Sequence, residues 1–413
     1  MRTTTTTADA GAGTAQLRHD AGVIGLVGLA HMTSHFSQLL LAPLFPWLKD
    51  AFNASYTQLG FLMTLFFVVS CGVQASSGFL VDRMGPRPIL FGGLGLLGLA
   101  AFGFALSPSY GALTFCSVLA GVGNGVFHPV DYTLLNRKVS APRLGHAYSF
   151  HGIAGSLGWA LAPALLVPLA IAFSWRVALA SAGALACSVM VVLWFNRDRL
   201  DLPVMTAPRG SGSDADGSFA FLRIPAVWMC FGFFFVYALV LGAIQAFAPE
   251  AARQLHGVPV ALSAMCLTVY MVFSAGGTLL GGFLASDPKR CERVVGTGFG
   301  VAALIALSIA FAPVPALAVP ALFGAMGFAS GIAAPSRDLL VKRSSPENAT
   351  GRVYGVVYSG LDIGQAIAPL IFGALMDRHQ YQGVWLGVVM FQAILIASAF
   401  NVTRVRRTVL ATA

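Results

Sequence analysis

"GFLVDRMGPRP" (Gly78–Pro88) sets one acid and two arginines between two long apolar runs, and the reading of this short charged turn decides the fold. Charged residues make up only 10% of the 413 residues, hydrophobic residues make up 57%, and the mean hydropathy is +0.77. A soluble chain of this size needs far more charge to cover its surface. The turn therefore separates two membrane spans. Outward from it, apolar runs long enough to cross a hydrocarbon core of about 30 Å recur at 21–47, 57–81, 89–107, 111–135, 145–171, 176–195, 224–249, 259–285, 294–312, 315–340, 352–376 and 383–402. Lipid offers the backbone no hydrogen-bond partners, so each run must be a helix. The expected fold class is an all-α membrane protein with twelve transmembrane helices.

The net charge of +9 raises the possibility of a nucleic-acid partner, but its distribution excludes one. Of the 25 Lys and Arg, only Lys49, Arg176, Arg253 and Arg378 fall in loops on one side, Arg337 sits inside a helix, and the rest lie on the other side. That asymmetry predicts a multi-pass protein of the inner membrane with both termini and the Gly78–Pro88 turn in the cytoplasm. The start, "MRTTTTTADAGAG", has no short apolar core with a cleavage site and reads as a disordered tail, 1–20, before a retained first helix. The six cysteines are scattered singly, with no Cys-x-x-Cys pair; those in apolar runs read as small packing residues.

The longest polar connection, rich in Gly, Ser, Pro and Asp, follows the sixth run. It divides the chain into a six-helix bundle at 21–195, a cytoplasmic linker at 196–223, a second bundle at 224–402 and a tail at 403–413. Shifting the second half by 206 residues aligns Pro43 with Pro249, Pro129 with Pro335, Gly145 with Gly351, Tyr148 with Tyr354, Gly158 with Gly364 and Pro163 with Pro369. Two pseudo-symmetric six-helix bundles around a shared path form a transporter architecture.

On these residues the chain resembles the major facilitator superfamily over nearly its whole length. Gly78, Leu80, Asp82, Arg83, Gly85 and Arg87 match that superfamily's loop signature between helices 2 and 3, while Pro86 stands where a basic residue is usual. Within the superfamily, "LAHMTSHFSQLLLAPLFPWL" (29–48), "GVFHP" (125–129) and "GIAGSLGWALAPAL" (152–165) resemble the fosmidomycin-resistance type of antiporter. The resemblance implies a secondary transporter coupled to protons and exporting a small anionic or amphiphilic compound. It also implies that Asp82 faces the start of helix 11 and holds the cytoplasmic side shut. A carboxylate near a helix N-terminus gains typically about 0.3–1 kcal/mol. With Arg83, Arg87, Arg137 and Arg352 around it, Asp82 is the expected latch of the outward-open state.

Ionisable groups inside spanning helices are costly and mark a pathway or proton relay. His31, Ser34, His35 and Gln38 follow helical spacing on one face of the first helix. Asn124, His128 and Asp131 do so on the fourth, His151, Gly155 and Trp159 on the fifth, and Tyr354, Tyr358, Asp362 and Gln365 on the eleventh. The resemblance turns these faces toward the cavity. Asp362, in the middle of its run, is the leading proton carrier. His31 and His35 ordinarily titrate closest to physiological pH and are further proton-relay candidates. Where the resistance family commonly has an aspartate this chain has His35, which opens a transfer of the coupling role to Asp131 or Asp362. Structural hydrogen bonding is the competing reading for each histidine.

Arg337 and Asp338 are expected near the cytoplasmic end of helix 10, either closing the inner gate or anchoring a carboxylate or phosphonate. Tyr237, Gln245 and Tyr270 are weaker lining residues, and Glu250 with Arg253 reads as an exposed pair at the outer rim. Glycine clusters such as "FGGLGLLG" (91–98) lie in helices without the strand and lysine of a phosphate loop, and no catalytic triad appears. The expected protein is thus no enzyme and needs no cofactor; its partners are a small-molecule substrate, protons and the lipid bilayer, and it is functional as a monomer. Proton-coupled uptake of an organic anion is the alternative. Transition-metal efflux through His31, His35, His128, His151 and Asp131 is a lesser one, because sequence cannot show ligands converging on one point. A non-transporting membrane sensor is the last.

Overall fold

A computed structural model describes the backbone of residues 7–202, 225–284, 291–344 and 350–412, and side chains over 14–202, 225, 227–284, 291–336 and 359–398. Among the described residues, twelve helices are long and apolar enough to cross a membrane. They are spans 1 (Thr14–Phe52), 2 (Tyr56–Met84), 3 (Pro86–Leu106), 4 (Tyr110–Lys138), 5 (Ala141–Ala172) and 6 (Trp175–Phe195), then 7 (Val227–Ala246), 8 (Val260–Leu284), 9 (Cys291–Phe311), 10 (Ala316–Ser336), 11 (Ser359–Asp377) and 12 (Tyr381–Ser398). No strand occurs among the described residues. Large apolar side chains such as Phe79, Phe115, Phe195 and Phe283 stay exposed on the outside, as lipid-facing residues should in a multi-pass membrane protein.

Packing reproduces the repeat read from the sequence. Span 1 lies on 5, 2 on 4 and 3 on 6; in the second half 7 lies on 11, 8 on 10 and 9 on 12. The halves meet along spans 2 and 11 and along spans 5 and 8, two seams that exchange under a twofold rotation. The aligned glycines explain the closest crossings. A Cβ at Gly158 would lie 2.2 Å from the Met32 carbonyl oxygen, and one at Gly364 would lie 2.5 Å from that of Phe235. Only glycine lets span 5 press against span 1, and span 11 against span 7, at that depth. The aligned prolines also sit at matching points. Pro43 lies in the 3-10 turn Ala42–Leu44 that leads into the short helix Phe45–Phe52, and Pro249 lies in the first turn of the short helix Ala248–His256. The two short helices are closed by left-handed residues, Asn53 (φ 47°) and Gly257 (φ 62°).

The expected tails differ from the structure. Helix covers Thr7–Gln38 without interruption, so the stretch 1–20 is helical from Thr7 onward, and the last helix runs Tyr381–Thr412 through 403 and beyond. The physical anchor of the first helix is Asp20, fully buried, which accepts hydrogen bonds from the Ser140 backbone N–H and hydroxyl and from Arg143 at 2.8 Å. Most of the linker read at 196–223 lies outside the described residues.

Candidate functional site

Span 4 bends where its chemistry sits. Pro129 has no N–H to give the Gly125 carbonyl, and the helix breaks into Tyr110–Asn124 and Phe127–Lys138. The Ser77 hydroxyl of span 2 donates to the freed Gly125 oxygen at 3.4 Å. In the first two turns past the break, His128 and Asp131 turn inward.

There the three stripes from spans 1, 4 and 5 converge on one buried cluster. Asp131 is fully buried, and its Oδ2 lies 3.1 Å from His31 Nδ1 and 3.1 Å from His151 Nε2. The His31 and His151 rings stack with centroids 3.5 Å apart; His31 lies 4.2 Å from His35 and 5.3 Å from His128. His35 in turn stacks on Trp159 at 4.3 Å, and the Trp159 indole N–H donates to Gln38 at 2.9 Å. Gly155 makes the room. A Cβ there would stand 2.7 Å from the His35 ring and 3.0 Å from His31 Nε2. Three polar atoms in the cluster have no hydrogen-bond partner: His31 Nδ1, whose approach to Asp131 is close but poorly directed, His35 Nδ1 and Asp131 Oδ1.

Other predicted lining residues tie helices together. The Ser34 hydroxyl donates to Asn124 Oδ1 at 2.7 Å, and the Asn124 amide donates to Ser70 at 2.8 Å, joining spans 1, 4 and 2. Gln365 donates to Gln245 at 3.0 Å, both buried. Tyr270 is buried, and Tyr237 packs against Phe299 of span 9. Arg337, Asp338, Arg352 and Tyr358 lie outside the residues with described side chains.

Asp362 stands apart from the histidine cluster, on the seam between the halves, where it accepts a hydrogen bond from the Gln74 amide of span 2 at 3.1 Å. The seam grows tighter toward the face opposite the basic loops. The Thr64 hydroxyl donates to the Ala366 carbonyl at 2.6 Å, and the Thr268 hydroxyl to that of Ala160 at 3.0 Å. At the end, Asp377 accepts from the backbone N–H groups of Tyr56 at 2.6 Å and Thr57 at 2.9 Å, capping span 2 from across the interface.

The reading of Glu250 and Arg253 as an exposed pair is corrected here. Glu250 is 8% exposed, gripped by Arg253 at 2.7 and 2.8 Å, and takes the Tyr56 hydroxyl at 3.2 Å. Its hydrogen-bonded carboxylate raises the pKa of the Arg253 guanidinium. The pair sits on a cleft with Trp47, Pro163, Gln245 and Ser263 that contains none of the histidines. Sequence reading missed Asp377 and Glu250 as bridges between the halves. For Asp377 the available signal was position, since an acid at a helix C-terminus opposes the macrodipole and needs a partner elsewhere; Glu250, in the first turn of Ala248–His256, carried no such signal.

On the basic face, Asp82 and Arg83 are exposed, with no ion-pair partner among the described residues, and Arg137 is exposed as well. Arg87 lies 3.5 Å from Asp201. Gly85 ends span 2 at φ 83°, a conformation that a side chain would strain, while Gly78 is half-buried in the helix.

Two six-helix halves related by a twofold, with buried polar side chains where they meet, define a membrane carrier of small molecules. The profile of the Major Facilitator Superfamily matches residues 27–369 and 292–411, and the chain belongs to that superfamily. It is 26% identical over 362 residues, 86% of each chain, to the uncharacterized MFS-type transporter YfnC of Bacillus subtilis. To the fosmidomycin resistance protein of Escherichia coli it is 30% identical over 166 residues, 38% of this chain and 39% of that one. A solved structure similar in fold is a bacterial homolog of the human lysosomal transporter Spinster, inward-facing and occupied, with TM-score 0.75, 15% identity, and coverage of 93% of this chain and 97% of the other.

Proposed function

We propose that the protein is a proton-coupled exporter of a small organic solute, working in the inner membrane by alternating access, with its basic face and both termini in the cytoplasm. The observation that carries the coupling is the Asp362–Gln74 hydrogen bond, which joins a carboxylate in the middle of one spanning helix to the other half of the molecule. When the halves rock, this bond is made or broken, so the cost of leaving the carboxylate charged depends on the state of the carrier. Protonation is thereby tied to conformation.

The state described is closed on the outer face, where Asp377, Glu250, Thr64 and Thr268 bridge the halves. Asp82 and Asp377 then act as opposite latches. Each lies in the last turn of its helix, Asp82 in span 2 and Asp377 in span 11. Asp377 caps the N-terminus of span 2 when the outer face is shut, and Asp82 caps the start of the helix of span 11 when the inner face is shut. The exposure of Asp82 fits an inner face that is open. The identity to a fosmidomycin resistance protein supports export of a drug-like or anionic compound.

The test is a screen of candidate solutes in proteoliposomes carrying purified protein and an imposed pH gradient. A solute that moves against its gradient only while the proton gradient lasts supports the reading. Flux that ignores the proton gradient refutes it.

A further inference from the structure

Four imidazoles and one carboxylate in a single buried cluster exceed what a proton relay requires, since one histidine–carboxylate pair suffices to pass a proton. An imidazole nitrogen with a free lone pair is a metal donor, and the cluster places several within reach of one carboxylate. The geometry fits such a role. Asp131 Oδ2 lies 3.1 Å from both His31 Nδ1 and His151 Nε2, and the three ligand atoms all fall within 4.8 Å of one another. Tetrahedral coordination at about 2.0–2.1 Å puts neighbouring ligand atoms roughly 3.3 Å apart. Two of the three unpartnered polar atoms, His31 Nδ1 and Asp131 Oδ1, belong to this trio, and His31 and Asp131 are 3% and 0% exposed.

We infer that His31, Asp131 and His151 form a binding site for a divalent transition-metal ion. The donor set names the class. Two imidazoles and one carboxylate suit Zn²⁺, Co²⁺ or Ni²⁺, whereas Mg²⁺ and Ca²⁺ require oxygen ligands throughout and Cu⁺ prefers sulfur. Three protein ligands leave a fourth position for water or for a donor atom of the cargo. His31 also belongs to a second trio with His35 and His128, whose nitrogens lie within 4.8 Å of its own, so neighbouring rings fix the orientation of the shared ligand. Gly155 holds this arrangement open from span 5. The site reaches beyond the organic-solute reading and is independent of it, because binding is measured without transport.

The experiment uses untagged full-length protein in lipid nanodiscs, with Co²⁺ as a visible-absorption probe and Zn²⁺ as competitor. The expected result is saturable binding of one Co²⁺ per chain with the intense bands of tetrahedral coordination, displaced by Zn²⁺. His31→Gln, Asp131→Asn and His151→Ala should each weaken binding by about 100-fold or more, while His256→Ala and His379→Ala leave it unchanged. Should the cluster variants fail to fold, X-ray absorption on the Zn²⁺-loaded wild-type chain decides. A first shell of nitrogen and oxygen with imidazole scattering supports the site; a sulfur-containing or all-oxygen shell overturns it. Absence of saturable binding in the wild type overturns it too, as does binding that survives in a folded His31→Gln/His151→Ala double variant.

Discussion

Asp377→Ala removes a side chain that caps span 2 from the opposite half. Its carboxylate accepts two backbone N–H bonds, from Tyr56 at 2.6 Å and Thr57 at 2.9 Å, at the positive end of a 29-residue helix. Hydrogen bonds to a charged group contribute about 1.5–3 kcal/mol each when buried, and a helix N-terminus adds about 0.3–1 kcal/mol. Asp377 is only half-buried, so water replaces much of what is lost, and a net loss of about 2 kcal/mol follows. The helix itself persists, because the Ser55–Gln58 capping box remains. The loss falls only on the state whose outer face is shut. At 1.4 kcal/mol per tenfold, the ratio of shut to open outer faces should drop about 30-fold. The assay is a pulsed electron-spin distance measurement between labels at Ser109 and Leu317, both exposed, in opposite halves, on the face that the proposed orientation makes the outer one. A longer-distance population should appear in Asp377→Ala and stay absent in Asp50→Ala, which alters an exposed acid on the same face. An unchanged distance distribution in Asp377→Ala would refute the latch.

Three further outcomes are expected. Asp362→Asn should abolish accumulation driven by a pH gradient in proteoliposomes while solute exchange without a gradient continues; undiminished gradient-driven uptake would remove Asp362 from coupling. Gly158→Leu should lower thermal stability by about 3 kcal/mol or more, because its first carbon meets the Met32 carbonyl at 2.2 Å. Gly25→Ala, with nothing within 4 Å of the added carbon, should be neutral, and a melting series in detergent checks both. Asp82→Asn should slow turnover while solute binding, read by calorimetry, survives; an unaltered turnover rate would leave Asp82 a merely solvated residue.

The fold was legible because lipid imposes a simple code. A run of apolar residues has only the helix available, and the turn at Gly78–Pro88 is charged because it must lie in water. The repeat was legible through Gly158/Gly364 and Pro43/Pro249, residues that act on the backbone and so leave a mark at a fixed spacing. The stripes on spans 1, 4 and 5 could be drawn from helical periodicity alone, but not their meeting point, which depends on how deeply Gly155 and Gly158 let span 5 approach span 1. The bridges made by Asp377 and Gln74 were hidden for the same reason, since their partners lie 320 and 288 residues away. The helical start at Thr7 was misread because its small residues have no amphipathic pattern, and the burial of Asp20 depends on Ser140 and Arg143.

Alternating access itself is tested most directly by reading both faces in one protein, with the Ser109–Leu317 pair on the outer side and labels at Ala141 and Leu284 on the inner side. Two rigid halves rocking about a shared seam predict that Asp377→Ala lengthens the outer distance and shortens the inner one together. Outer opening with no change on the inner side, or both distances growing at once, would contradict it.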